Sequence, residues 1–554
     1  MEQSIILQLL LLSFTIATFL FYTIQRRHRR PPSSTTPPSP PALPLIGHLH
    51  LLTDMPHHTF TQLAQKLGPI IHLQLGQVPT VIISSPQLAE LVLKTHDHIF
   101  ASRPQLIAAQ YLSFGCSDIT FSPYGPYWRQ ARKICVTELL SSKRVNSFQF
   151  IRNEEINRML RVISDHSERE LDMSQVFFTA ANNILCRVAF GKRFIDHRLK
   201  EKDLVSVLTE TQALLGGFCL GDFFPEWEWV NTVSGMKRRL MKNLKDLRGV
   251  CEEIIQEHVK RRDENGRNED FVDVLLRVQK TYDLQVPITD DNLKALILGS
   301  FEGSALYHDF FYTQGSNPRS LIKGRAAPST APYPLIVDMF VAGTDTSAAT
   351  LEWTMTELAR HPSVLEKAQN EVRKIAANRG KVEESDLQHL RYLKAVTKET
   401  MRLHPAVPLL VPRESMEKCT LDNYEIPAKT RILINTYAIG RDPESWKNPM
   451  DYNPERFLKK DIDFRGQDFR FLPFGGGRRG CPGYALGLAT IELSLARLLY
   501  HFDWKLPPGV AAQDVDLSEI FGLATRKRVA LKLVPTINRL YAYGEEDDLQ
   551  FATL

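Results

Sequence analysis

One short run limits what this chain can become more than any other: residues 473–483, PFGGGRRGCPG, near the C-terminal end of a 554-residue sequence. It carries a single cysteine, Cys481, behind Gly475, Gly476, Gly477, two arginines and Gly480, and ahead of Pro482 and Gly483. Glycine has no Cβ, so backbone amides in such a loop can close on a sulfur. Cationic side chains and amide groups lower a thiol's pKa toward the thiolate, the form that binds metals. No second cysteine or histidine lies nearby to complete a tetrahedral zinc site. A lone thiolate on such a loop suits the axial position of a haem iron, where sulfur pushes electron density toward O–O cleavage.

Phe474, Gly477, Arg479, Cys481 and Gly483 fit the pattern F-x-x-G-x-R-x-C-x-G at each fixed position, and on them the chain resembles the cytochrome P450 family. The likeness runs from about residue 40 to residue 538, and the proline-rich segment behind an apolar N-terminus resembles the plant microsomal branch. The resemblance implies a mainly α fold with a small β region: one large haem-thiolate catalytic domain, residues 45–538, behind an N-terminal transmembrane helix. It also implies haem b on Cys481, with Phe474, Arg479 and Gly483 beside the cofactor. O2 would be the oxidant, and electrons would come from NADPH through a separate reductase.

The region after residue 50 holds no internal repeat, low-complexity linker or charge block, which predicts a single domain despite the length. An apolar content of 43% supports an ordinary core. The net charge of +5 is small, and part of it sits near the N-terminus, so no basic face within the fold suggests nucleic-acid binding. Seven scattered cysteines without disulfide-like spacing point to a reducing compartment.

Residues 5–24 form an apolar run, and about 20 such residues cross a bilayer as a helix. Arg26, Arg27, Arg29 and Arg30 follow, whereas the preceding stub has no Lys or Arg, so the positive-inside rule keeps the C-terminal side cytosolic. A cleaved signal would carry its charges before the apolar run. The expectation is a single-pass anchor in the endoplasmic-reticulum membrane, in contact with lipid. Residues 25–44, basic and then proline-rich, form a stiff hinge. The tail, 539–554, is expected to be disordered.

Three further stretches carry chemistry. In residues 127–133, Trp128 and Arg132 stand i and i+4 on a basic helix, where indole N–H and guanidinium can together hold a carboxylate. By resemblance that carboxylate is a haem propionate, with Arg413 a further partner. Glu399 and Arg402 are i, i+3 on a helix closed by His404-Pro405. The family pattern pairs them with Arg456 as a buried structural charge network. Residues 340–347, FVAGTDTS, place an acid–alcohol pair on an apolar helix. Small residues at Ala342 and Gly343 leave room for dioxygen beside a cofactor. The Thr346 hydroxyl can bond back to a carbonyl, and with Asp345 it offers a proton route for oxygen activation. The pocket, by resemblance, takes walls from 103–117, 214–220, 342–346, 406–410 and 521–525. Its apolar members include Phe114, Phe218, Ala342, Val407, Leu409 and Leu523, which suit a lipophilic small molecule.

One segment departs from the family pattern. Residues 299–337, rich in Gly, Ser and Pro, interrupt a helix expected to run from 291–298 into Asp338, and they lack helical periodicity. The reading adopted is an intron retained in translation. If the Asp338 codon was split after its first G, an intron beginning GT makes Gly299 as GGT, and one ending AG makes Val337 as GTA. Translated, the insertion severs the helix about two turns before Thr346.

These features point to a membrane-anchored monooxygenase that inserts one oxygen atom from O2 into a lipophilic small molecule of plant specialised metabolism. No dinucleotide loop or flavin module is present, hence the reductase partner. A haem-thiolate isomerase or dehydratase is the alternative on the same fold, and the Asp345-Thr346 pair speaks against it. An inactive splice product is the alternative that the 299–337 insertion raises.

Overall fold

The computed structural model describes residues 11–15, 18, 35–113, 115–193, 204–216, 219–227, 229–260, 269–281, 332–376, 379–459, 462–522, 524–538 and 540. The expected anchor, 5–24, lies mostly outside them, although residues 11–15 and 18 are helical. Half of the hinge (25–34), most of 299–337 and all of the tail but residue 540 also lie outside. Among the described residues, no helix is long and apolar enough to cross a membrane.

The elements that frame the site follow in chain order. Helix α1 spans Pro56–Leu67, with Pro56 at its start, where a missing N–H costs nothing. Strands β1 (Ile70–Leu75) and β2 (Val78–Ile83) pair antiparallel, Ile70 against Ile83 and Leu75 against Val78. Gly76 turns the chain between them at φ +58°, a conformation glycine reaches without strain. Helix α2 is Pro126–Ile134 and α3 is Met173–Phe190. Helix α4 is the long Pro332–Arg360 and α5 is Arg391–Leu403. Strands β3 (Arg413–Glu414) and β4 (Arg431–Ile434) complete a sheet of order β1-β2-β4-β3, in which β2 and β4 run parallel. Helix α6, Tyr484–His501, follows the cysteine loop directly; β5 (Glu519–Ile520) and β6 (Arg526–Lys527) form a hairpin behind it.

The sheet is apolar on both faces. Ile71, Leu73, Ile82 and Leu433 bury into one cluster, and Ile70, Val81, Ile83 and Ile432 into another. The helical core is larger and runs through α3, α4, α5 and α6, with Phe177, Leu351, Val396 and Leu495 all below 2% exposure. All seven cysteines are free thiols.

Helix α4 corrects one expectation. It begins at Pro332, so 332–337 are helical rather than part of an irregular insertion, and the helix runs unbroken to Arg360. Proline at the first turn and the apolar Leu335-Ile336-Val337 behind it suffice to start the helix. A break therefore falls at least about four turns before Thr346, not two.

Candidate active site

The cysteine loop is held from far upstream in the chain. Gly477 sits at φ +63°, and a Cβ there would lie 2.3 Å from the Leu93 carbonyl oxygen and 2.6 Å from Asp97 Oδ1. The steric demand for glycine falls here, while a Cβ on Gly483 would meet nothing within 4 Å. Asp97 fastens the turn. Its Oδ2 accepts from Arg478 N and Nη1, both at 2.9 Å, and its Oδ1 accepts from Arg413 Nη1 at 2.9 Å. Cys481 N donates to Phe474 O at 2.9 Å. Cys481 keeps an accessible face. The protein packed around the rest of it pushes its thiol up, while the N–H groups of Gly483 and Tyr484 and the charge of Arg132 pull it back. Those two N–H groups belong to the start of α6, the positive end of its dipole.

Arginines crowd this loop. Arg479 donates to the carbonyls of Ala101 (2.7 Å), Ile119 (3.0 Å) and Ser122 (2.5 Å), and its guanidinium lies 4.2 Å over the Trp128 ring. Arg413 also reaches Gly476 O at 2.8 Å and Phe100 O at 3.3 Å. Arg132 Nη2 donates to Gly480 O at 2.6 Å. Arg103 is buried on Thr120, Val411 and Pro412 carbonyls, a brace rather than an edge of the pocket wall. Burial first, then mutual repulsion, push these guanidiniums down: Arg479 to about 9, and Arg103 well below its usual value. Arg413 and Arg478 face Asp97, Arg103 and Arg479 face Asp118, and Arg132 stands beside Cys481, so among the described residues positive charge is in surplus here. A dianionic group such as the two propionates of a haem would neutralise that surplus, and the accessible thiol supplies the axial donor. The residues fit the cofactor. The indole Nε1 of Trp128 donates to Ile119 O at 3.0 Å and its ring packs under Arg479, while the Arg132 guanidinium reaches the same loop at Gly480.

Helix α4 meets the loop from the other side. A Cβ on Gly487, in the first turns of α6, would lie 3.8 Å from Ser347 Oγ, which places the stretch after Cys481 against the residue after Thr346. Residues 347–358 of α4 are all buried, whereas Ala342 is exposed and Thr346 half-buried. That exposure within a core helix marks the open side. Thr346 Oγ1 donates back to Ala342 O at 2.8 Å, as a mid-helix threonine can. Asp345 is buried, its Oδ1 lacks a hydrogen-bond partner, and Arg526 Nη1 on β6 lies 3.7 Å away. Burial raises its carboxyl pKa and Arg526 opposes the rise. Arg526 carried no signal in the sequence, since only the fold brings β6 to α4. Gly343 does not serve as room for dioxygen: a Cβ there would lie 3.0 Å from both Cδ atoms of Leu185, so its size lets α4 close on α3.

The charge network stands behind the loop. Glu399 takes Arg402 Nε and Nη2 at 2.8 Å each, and its Oε1 also accepts from Arg456 Nε at 2.9 Å and Asn453 N at 2.7 Å. Arg402 and Glu399 side chains are 0% exposed. Removing one partner from such a set strands a buried charge, at roughly 3–5 kcal/mol.

The predicted wall segments meet in pairs. Ile107 N donates to Asp222 Oδ1 at 2.7 Å, tying 103–117 to the residues just past 214–220. Thr525 N donates to Ala406 O at 2.8 Å, and Leu410 packs 3.6 Å from where a Cβ of Gly475 would stand. Val407 is half-buried and Leu409 buried. Phe114, Phe218 and Leu523 lie outside the described residues.

The sequence model of the family described as Cytochrome P450 matches residues 37–304 and 334–532. A tryptamine 5-hydroxylase of Oryza sativa subsp. japonica is 51% identical over 92% of each chain. Cytochrome P450 71AP13 of Prunus mume is 47% identical over 90% of this chain and 89% of its own. Among solved structures, a zebra fish cytochrome P450 determined with progesterone superposes with a TM-score of 0.68 at 26% identity, over 87% of this chain and 99% of that one.

Proposed function

The chain belongs to the cytochrome P450 family and is a P450 monooxygenase, and from that premise we propose that it oxidises a lipophilic small molecule of plant specialised metabolism on a haem held by Cys481. The observation that carries the reading is the accessible thiol of Cys481 inside a ring of guanidiniums that outnumber the carboxylates they face. Haem b, when bound, supplies an iron that activates O2 and inserts one atom into the substrate. Arg132, Arg413 and Arg479 hold or back the propionates, and Phe474 and Gly483 shape the loop beside the ring. Asp345 and Thr346 deliver protons. The raised carboxyl of Asp345 can carry a proton at Oδ1, Arg526 links it to the surface, and the Thr346 hydroxyl stands one residue on. Val407 and Leu409, with Ala342, give the substrate an apolar surround.

Electrons come from an NADPH-dependent reductase in this reading. An open groove beside the cysteine loop bears Arg129, Arg132, Lys133 and Arg478, a cationic face suited to an acidic redox partner. The apolar stretch 5–24 anchors the chain in the endoplasmic-reticulum membrane with the catalytic domain cytosolic. Residues 299–337 are a retained intron, a reading supported by the interruption of the family match between residues 304 and 334.

The test is a reduced carbon-monoxide difference spectrum and an NADPH-driven assay with reductase, on wild type and Cys481→Ser. Wild type should give the thiolate-type band and turnover, and the variant neither. A wild-type chain that stays colourless with ample haem overturns the proposal. Tryptamine is the first compound to assay, because the rice relative is named for hydroxylating it.

A further inference from the structure

A second set of titratable side chains converges away from the cysteine loop, where the first turn of α1, the end of α5 and β5 meet. Glu519, the first residue of β5, has Oε2 at 2.9 Å from His57 Nε2 and 3.3 Å from His58 Nε2. Its Oε1 lies 3.9 Å from His404 Nδ1. His57 is fully buried, and His404 and Glu519 each keep 8% of their side-chain exposure. The candidate donor atoms of His57, His58 and Glu519 all lie within 4.8 Å of one another.

Hydrogen bonding accounts for only part of this convergence, since His57 Nε2 alone lies in a hydrogen bond with Glu519 Oε2. His58 Nε2 and His404 Nδ1 are both buried without a partner, although each faces the same carboxylate. Buried polar atoms are ordinarily satisfied, so two orphaned ring nitrogens aimed at one carboxylate imply something between them. The far nitrogen of His404 is already fixed: Nε2 lies 2.7 Å from Glu357 Oε1, and Trp353 stacks on the ring at 4.0 Å with planes 3° apart.

We propose that His57 Nε2, His58 Nε2 and the Glu519 carboxylate bind a zinc ion, with His404 Nδ1 at the fourth position. Zinc takes imidazole nitrogen and carboxylate oxygen at about 2.0–2.2 Å in a tetrahedron, which sets donors about 3.3 Å apart. The observed separations bracket that spacing, so small side-chain shifts complete the site. Two or three imidazoles with one carboxylate favour zinc or a neighbouring transition metal over calcium or magnesium, which take oxygen donors. Glu357 holding the opposite nitrogen of His404 is the carboxylate–histidine pairing that orients metal ligands. The ion would join α1 to β5, and Phe521, one residue past that strand, stacks on His57 at 5.7 Å. The site is separate from Cys481 and stands or falls apart from the monooxygenase reading.

The test uses the full-length, haem-loaded protein, stripped with a chelator and titrated with zinc by calorimetry, with metal content measured after dialysis. Wild type should retain one zinc per chain and unfold at a higher temperature with zinc than without. His58→Ala, at a partly exposed position, and Glu519→Gln should weaken zinc at least about tenfold and abolish the thermal gain, with the carbon-monoxide band intact as the mark of a folded chain. His58→Cys, which restores a donor, should recover binding. Should Glu519→Gln fail to fold, the His58 pair decides. Wild type that binds no zinc, or His58→Ala that binds it as tightly as wild type, overturns the site.

Discussion

A methyl group added at Gly343 would stand 3.0 Å from both terminal methyls of Leu185, closer than packed carbons rest. The two residues are far apart in sequence, so glycine in the acid–alcohol motif read as space for oxygen when it is space for a neighbouring helix. Gly343→Ala should therefore destabilise the fold by about 1–2 kcal/mol by overpacking. Leu185→Ala should cost less in the Gly343→Ala background than in the wild type, a coupling read by a double-mutant cycle of thermal unfolding, whereas a role confined to oxygen binding would leave the two losses additive. Thr346, Asp345 and Cys481 were legible because their chemistry is local and their spacing fixed. Arg526, Asp97 and the Ile119 carbonyl that takes the Trp128 indole were not, since each is brought in from a distant segment.

At the level of elements, the end of α5 could be read from the His404-Pro405 stop. The start of α4 could not, because the sequence around Pro332 shares the Gly-, Ser- and Pro-rich composition of the residues before it. The 3-10 turn Leu220–Asp222 supplies a pH-sensitive joint. Burial pushes Asp222 up to about 6, against the pull of the Ile107 N–H and Arg431. An acid whose folded pKa is raised favours the fold when protonated, so this contribution is present at low pH and is lost as pH rises from about 4 through 6. Asp222→Asn can keep the bond from Ile107 N without ionising. Its thermal midpoint should fall less than that of wild type between pH 4 and pH 7, measured side by side. An equal or larger fall would show that Asp222 is not the titrating group.

Across the whole molecule, the family match leaves out residues 305–333, the greater part of 299–337. Joining residue 298 to Asp338 should raise haem incorporation and turnover severalfold relative to the full-length chain, read from the carbon-monoxide band per mole of protein. Equal spectra would make the insertion a tolerated surface segment. The cysteine loop itself hangs from Asp97 and Ala101, through contacts that span about two-thirds of the sequence. A ribosome must therefore release nearly the entire polypeptide before these partners can meet, and such distant closures are slow. Any premature stop upstream of the loop leaves a fragment whose clustered guanidiniums have lost their anchor point, a natural substrate for quality-control proteolysis.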